Sequence, residues 1–381
     1  MVFDISWLLL GLPVAFVLGW LASRLDLRQL RIENRQAPKA YFKGLNFLLN
    51  EQQDQAIDAF IEAVQSDPDT SELHFALGNL FRRRGEYERA VRVHEHLLSR
   101  GDLTPTDRHR AQHALAMDYL KAGLLDRAED ALRKLEGTAF EAQARLALLA
   151  NYERSRHWTH AAEIAQKLEN SDHGSFSPRL AHYLCEQAVG QEPDKAQALL
   201  RKAIQTAHGA PRARLDLASV LGTTGHADQA LEILEEAIAE SPTALPLIAG
   251  PIAALAIANG QTARILELLK TQYAVNPSID VLEGIVTLDA ATQGPSPSAR
   301  DWYIHHLERE PSLVAAAKWI AGEKLEHEQF HPQVQRALDH AVKPLTRYRC
   351  AACGFEAKLH FWQCPGCQAW DSYPARRVEE L

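Results

Sequence analysis

The chain has 381 residues, 46% of them hydrophobic and 24% charged, with a formal net charge of −8. Those proportions exclude a disordered or fibrous chain, and the acidic balance excludes a general nucleic-acid binder, which needs a basic face. Five cysteines are too few for a disulfide scaffold, and four of them lie at or beyond Cys350, a grouping that points to a metal and a reducing compartment.

The first element is the uncharged run Ile5–Ala22, ISWLLLGLPVAFVLGWLA. At ~1.5 Å per residue it reaches about 27 Å, the thickness of a bilayer's hydrocarbon. Trp7 and Trp20 stand near its ends, where interfacial aromatics belong, and Pro13 is tolerated in a spanning helix. The opening Met1-Val2-Phe3-Asp4 has no basic stretch and no A-x-A site follows, so residues 1–23 are predicted to be an uncleaved anchor and not a signal peptide. A basic linker, 24–37, carries Arg24, Arg28, Arg31 and Arg35, followed by Lys39, against Asp26 and Glu33. The positive-inside rule then places the rest of the chain in the cytoplasm.

From residue 38 to 311 the chain repeats itself. Gly44 recurs as Gly78, and Ala56 and Phe60 align with Ala90 and His94. The small-residue landmark continues at Ala128, Ala161, Ala196 and Ala230, with Ile265 as a weaker member, at spacings of 34, 38, 33, 35, 34 and 35. Each period holds two helical patterns, and Pro68, Pro242 and Pro277 close repeats. Small residues let paired helices approach. Phe47, Phe60, Phe81, Tyr119, Leu132, Leu200 and Leu234 fill the space between them. One such hairpin cannot bury its apolar face alone, so neighbours must stack. Gly101-Asp-Leu-Thr-Pro-Thr106 reads as a loop insertion, and Gly294-Pro-Ser-Pro-Ser298 as a second loop.

This pattern resembles the tetratricopeptide repeat family, with seven repeats, or eight if a degenerate member near Gly284 is counted. The resemblance implies an all-α, right-handed superhelix whose first helices line a groove for peptides or protein segments. The groove positions carried over are Tyr41, Leu45 and Leu48, then Phe75, Asn79, Arg82 and Arg83, then Met117, Leu120 and Lys121. Asparagine there suits an extended backbone and arginine suits carboxylates. A solvated Arg82-Arg83-Arg84 face is the plainer reading of the same charges.

Residues 312–346 read as terminal helices capping the solenoid. They contain His327-Glu328-Gln329-Phe330-His331, which matches H-E-x-x-H. Pro332 follows at once, placing the second histidine where a helix should end, and no third ligand is evident, so surface residues are expected instead of a metalloprotease. His94 and His96 do not share a helical face, His305-His306 has no partner, and Cys185 reads as a small core residue. No phosphate loop, nucleophile elbow or dinucleotide fingerprint is present.

Residues 347–381 carry the strongest chemical signal: Cys350-Ala-Ala-Cys353, ten residues, then Cys364-Pro-Gly-Cys367. Two C-x2-C knuckles across a short hairpin make a tetrahedral four-sulfur site for one zinc or iron ion, with room for two short strands in the spacer. So short a segment cannot hold itself together by apolar burial, and metal supplies the difference. Tyr348, Phe355, Phe361, Trp362, Trp370 and Tyr373 are available for a small aromatic core. A closed site has no open coordination position, which argues against hydrolytic catalysis. The knuckles CAACGF and CPGC resemble a rubredoxin-type domain, which slightly favours iron. The spacer is shorter than in rubredoxins, and Gln368 stands where they usually have glycine.

Anchor, repeats and terminal metal domain together resemble the lipopolysaccharide assembly protein B family of Gram-negative inner membranes, over the whole chain. That resemblance implies a non-enzymatic adaptor, single-pass and cytoplasmic, that promotes degradation of the lipid A-committing deacetylase by a membrane-anchored AAA+ protease. It also implies gathering of other lipopolysaccharide enzymes, and leaves homo-oligomerisation open. The alternatives are an iron-dependent electron-transfer module docked on a repeat scaffold, and a general envelope-assembly scaffold.

Overall fold

A computed structural model of the chain describes residues 16–20, 42–66, 70–169, 174–293, 298–322 and 328–381. Most of the expected anchor, the basic linker, Tyr41, Pro68, Gly294-Pro-Ser-Pro and His327 lie outside the described residues. Residues 16–20 are helical, with Phe16 76% and Leu18 62% exposed. The chain forms two compact units, Met1–His157 and Trp158–Leu381.

The first unit is a run of helices, each packed on the next: α1 (42–49), α2 (Gln53–Ser66), α3 (Ser71–Arg84), α4 (Tyr87–Ser99), α5 (Pro105–Ala122), α6 (Leu125–Arg133) and α7 (Glu141–Ser155). Its landmark alanines, Ala56, Ala90 and Ala128, are wholly buried. Small residues also set the fit between the helices of a hairpin. A Cβ on Gly44 would come within 2.9 Å of the Phe60 ring, and one on Gly78 within 2.5 Å of the His94 ring. The predicted loop insertion after Arg100 ends in a cap. Thr104 Oγ1 accepts from Asp107 N at 3.1 Å, and Pro105 opens α5 where its missing N–H costs nothing.

Where Phe60 stands in α2, α4 carries His94, fully buried. Its Nδ1–H donates to Asp118 Oδ2 at 2.5 Å, and Arg82 Nη1 donates to Asp118 Oδ1 at 2.8 Å. A buried carboxylate is tolerable only when paired in this way.

The second unit continues with α8 (Trp158–Glu169), α9 (Ser177–Ala188), α10 (Pro193–Thr206), α11 (Pro211–Thr223), α12 (Ala227–Glu240), α13 (Leu245–Ala258), α14 (Thr262–Val275), α15 (Ile279–Gln293), α16 (Ser298–Arg309), α17 (Leu313–Ala321) and α18 (His331–Val342). Ala161, Ala196, Ala230 and Ile265 are buried, as their spacing predicts. Helix α13 is apolar throughout because it is packed on several sides, by α12, α14 and α15. Among the described residues no single helix is long and apolar enough to cross a membrane. Helices α12 and α13 pass that test only together, bent by 116°, and Ile248 and Ile252 of α13 are fully buried.

Two expectations need correction. His331 does not end a helix; it opens α18, because Pro332 sits in the first turn, where no N–H is needed. His306 has a partner: it is 3% exposed and its Nδ1 accepts from Tyr273 Oη at 2.7 Å.

After α18 the chain forms a two-stranded antiparallel ribbon, β1 (Tyr348–Arg349) with β2 (Glu356–Ala357). The ribbon brackets the first knuckle and does not lie within the spacer, so only β2 is where two strands were expected.

Candidate metal centre

The two knuckles are built alike. Cys350 N donates to Phe355 O and Gly354 N to Cys350 O, at 2.9 and 2.8 Å. Cys364 N donates to Ala369 O and Gln368 N to Cys364 O, both at 2.9 Å. In each, the residue after the second cysteine adopts the left-handed conformation, Gly354 at φ +77° and Gln368 at φ +63°. Glycine is the natural occupant there, so Gln368 holds strained backbone in exchange for a side-chain bond to Pro365 O at 3.2 Å.

The four sulfurs converge, all within 4.8 Å of one another. Cys350 and Cys367 Sγ are 3.8 Å apart, Cys353 and Cys364 Sγ 3.7 Å. Four thiolates about 2.3 Å from a central ion in a tetrahedron would be about 3.8 Å apart, so the donor set fits one zinc or iron ion. Disulfides need about 2 Å, and all four cysteines are free thiols. Cys350 and Cys364 are buried; Cys353 and Cys367 face solvent.

Local donors prepare two of the four sulfurs, those of Cys350 and Cys364. The Ser372 hydroxyl, 3.2 Å from Cys350 Sγ, and the backbone N–H groups of Cys353 and Ala352 favour the thiolate and bring Cys350 down to about 6. Burial pushes the Cys364 thiol up, but the N–H groups of Cys367 and Gly366 outweigh it and lower its pKa. A bound ion would supply charge neutralisation and cross-linking; the residues do the rest.

Aromatic residues surround the site, and many face the repeats. Tyr348 and Tyr373 are buried, and Tyr373 Oη donates to Phe355 O at 3.1 Å. Phe355 is 43% and Phe361 36% exposed, so the core is narrower than the aromatic count suggested. Trp370 stacks on His182 of α9, ring centroids 4.7 Å apart, and meets Trp158 and Tyr183 edge-on. His182 Nε2 bonds both Asp371 oxygens, at 2.8 and 2.9 Å.

The segment after the metal site fastens the second unit further. Arg377 grips Asp280 with two nitrogens, Nε at 2.9 Å and Nη2 at 2.8 Å, and lies 4.2 Å over the Tyr348 ring. Glu379 Oε1 accepts from Leu313 N and Val314 N, and Oε2 from Ser312 Oγ, at the start of α17. Glu380 Oε1 accepts from Ile279 N at 2.7 Å, at the start of α15. Carboxylates there complement the free N–H groups and dipole of a helix N-terminus. Sequence reasoning missed this fastening; its only trace is the basic pair followed by an acidic pair.

The expected groove residues scatter. Phe75 is 2% exposed, packed on Leu97 and Ala111 under the Arg110 guanidinium, and Leu120 is 7% exposed. Both are packing residues, because the next hairpin covers that side of each helix. Arg82 is engaged by Asp118, Asn79 and Ala114 O and is not a solvated charge. Leu45, Leu48, Asn79 and Met117 are half-buried; Arg83 and Lys121 are exposed. Cys185 is a core residue, 1% exposed, its thiol pushed up to about 12 by burial.

Residues 348–373 match the family described as rubredoxin metal binding domain, and residues 43–94 and 190–255 match tetratricopeptide repeat families. The chain is similar to lipopolysaccharide assembly protein B of Escherichia coli strain K12, 31% identical over 386 residues, 98% of this chain and 99% of that protein. It is also similar to lipopolysaccharide assembly protein B of Haemophilus influenzae strain Rd, 29% identical over 388 residues, 97% of each. A likeness that runs through repeats and metal knuckles alike has one reading: the chain belongs to the lipopolysaccharide assembly protein B family.

Proposed function

We propose that this chain is a single-pass inner-membrane adaptor, its repeats and metal domain in the cytoplasm, that regulates lipopolysaccharide synthesis and performs no catalysis itself. It brings the deacetylase that commits precursors to lipid A to a membrane-anchored AAA+ protease, and gathers other lipopolysaccharide enzymes beside the bilayer. The observation that carries this reading is the similarity to lipopolysaccharide assembly protein B over 98% of the chain, metal domain included. The physics supports it: an anchor confines the repeats to a thin layer and raises their effective concentration toward other anchored proteins. The test is the deacetylase half-life in cells. Depletion of this chain lengthens it, and a Cys350→Ser, Cys367→Ser variant behaves as a depletion because its metal domain unfolds. An unchanged half-life on depletion refutes the role.

A second reading rests on the exposure of Cys353 and Cys367, since an electron-transfer centre needs an edge open to its partner. Under it the bound ion is iron, the visible spectrum shows thiolate-to-iron charge transfer, and the colour bleaches and returns over one redox cycle. A colourless zinc protein excludes it.

A further inference from the structure

The metal domain leaves half of its donor set open to solvent. Cys353 and Cys367 are exposed, while Cys350 and Cys364 are buried. The neighbours of the exposed pair have little or no side chain to cover them: Ala352 and Gly354 beside Cys353, and Gly366 before Cys367, are themselves exposed. Cys350 and Cys367 Sγ are 3.8 Å apart, and Cys353 and Cys364 Sγ 3.7 Å. Both contacts cross from one knuckle to the other, and both join an exposed cysteine to a buried one. Each pair therefore offers one sulfur that a small oxidant can reach and a second in place to resolve it.

A bound ion holds all four sulfurs as thiolates, the nucleophilic form. We propose that the site is also a two-electron redox switch, in which a hydroperoxide oxidises Cys353 or Cys367 and the cross-knuckle disulfides Cys353–Cys364 and Cys350–Cys367 take the place of the ion. With hydrogen peroxide, the Cys353 thiolate attacks one oxygen; an S–O bond forms, the O–O bond breaks and hydroxide leaves. The Cys364 thiolate then attacks the Cys353 sulfur; an S–S bond forms and the sulfenic oxygen leaves as a second hydroxide. Two thiolates give up two electrons and the peroxide takes them. Cys367 and Cys350 do the same with a second peroxide. Neither a sulfenic acid nor a disulfide replaces a thiolate as a metal ligand, so the ion is lost. A disulfide of about 2 Å closes each contact by about 1.7 Å. Sliding one knuckle toward the other achieves this with both turns intact. Pairing Cys350 with Cys353, or Cys364 with Cys367, works against the two backbone bonds that close each knuckle. Trp370, which follows closely after Cys367, stacks on His182 of α9, so the shift is felt by the repeats.

This inference goes beyond the adaptor role and is tested without it. The full chain, loaded with zinc, is treated with hydrogen peroxide while a chromogenic chelator reports released zinc. One zinc leaves per chain, and dithiothreitol followed by zinc restores the loaded form. With dimedone present to trap sulfenic acid, the first label falls on Cys353 and Cys367. Trypsin cuts after Arg349, Lys358 and Arg376, so cross-knuckle disulfides appear as peptide 350–358 joined to peptide 359–376, and disulfides within a knuckle leave the two separate. Cys185→Ala, which removes the remaining cysteine, changes none of these readouts. Zinc release no faster than without peroxide overturns the proposal. So do first labels on Cys350 or Cys364, disulfides confined within the knuckles, or oxidation to sulfinic acid that dithiothreitol does not reverse. None of these outcomes bears on deacetylase turnover, which tests the adaptor role separately.

Discussion

Replacing Glu379 with alanine removes three acceptor contacts from the first turn of α17: those to Leu313 N at 2.5 Å, Val314 N at 3.0 Å and Ser312 Oγ at 2.9 Å. Ser312 Oγ still accepts from Ala315 N at 2.9 Å, so the helix keeps its own cap. What is lost is a second, charged cap at a partly exposed position. Loss of a cap costs about 0.5–2 kcal/mol, and the ionised acceptor favours the upper end. For a unit of the size of Trp158–Leu381, about 2 kcal/mol lowers Tm by about 4–8 °C. The assay is calorimetry on the full metal-loaded protein, following the transition of that unit. Glu232→Ala, at an exposed position of α12, is the control and moves Tm by less than 1–2 °C. A Glu379→Ala shift no larger than the control's refutes the reasoning.

Gly78→Ala drives a methyl into the buried His94 ring at 2.5 Å, and costs about 1–3 kcal/mol in denaturant midpoint, whereas Gly101→Ala, with open space around it, is near neutral. Gln368→Gly relieves a left-handed backbone at φ +63° and stabilises the metal domain by about 1 kcal/mol, read as slower metal loss to a chelator; faster loss contradicts the strain argument. Burial holds the His306 pKa below its ordinary value, so the unfolded chain binds a proton in the window where the folded one does not. Stability is therefore full above about pH 6.5 and declines as pH falls toward the folded value; His306→Gln flattens that slope in urea titrations, and parallel slopes count against it.

Much of this was legible because it is local. The alanine landmarks report the closest approach of two helices within one hairpin, so Ala56, Ala90, Ala128, Ala161, Ala196 and Ala230 all came out buried. The cysteine quartet was legible because a knuckle is a self-contained turn. Gln368 even announced its own strain by standing where glycine is usual. The rest depended on distant partners. Whether Phe75 lines a surface or fills a core is decided by how α5 approaches, which α3 does not encode. His94 aligned with Phe60, yet the carboxylate that makes a histidine tolerable there, Asp118, lies in the next hairpin. The Arg377 and Glu380 contacts reach residues about a hundred positions back, beyond any pattern of spacing.

An array in which each repeat touches only its neighbours ordinarily frays from its ends, one hairpin at a time. Residues 376–380 forbid that in the second unit, because they stitch the openings of α15 and α17 to a domain that also leans on α8 and α9. Loosening any one of these elements loosens a loop that passes through the others, so the unit melts in one sharp step while its ion is bound. Stripped of the ion, the same helices revert to a ladder that unzips gradually, and loss of metal reads out as loss of cooperativity before any loss of helix.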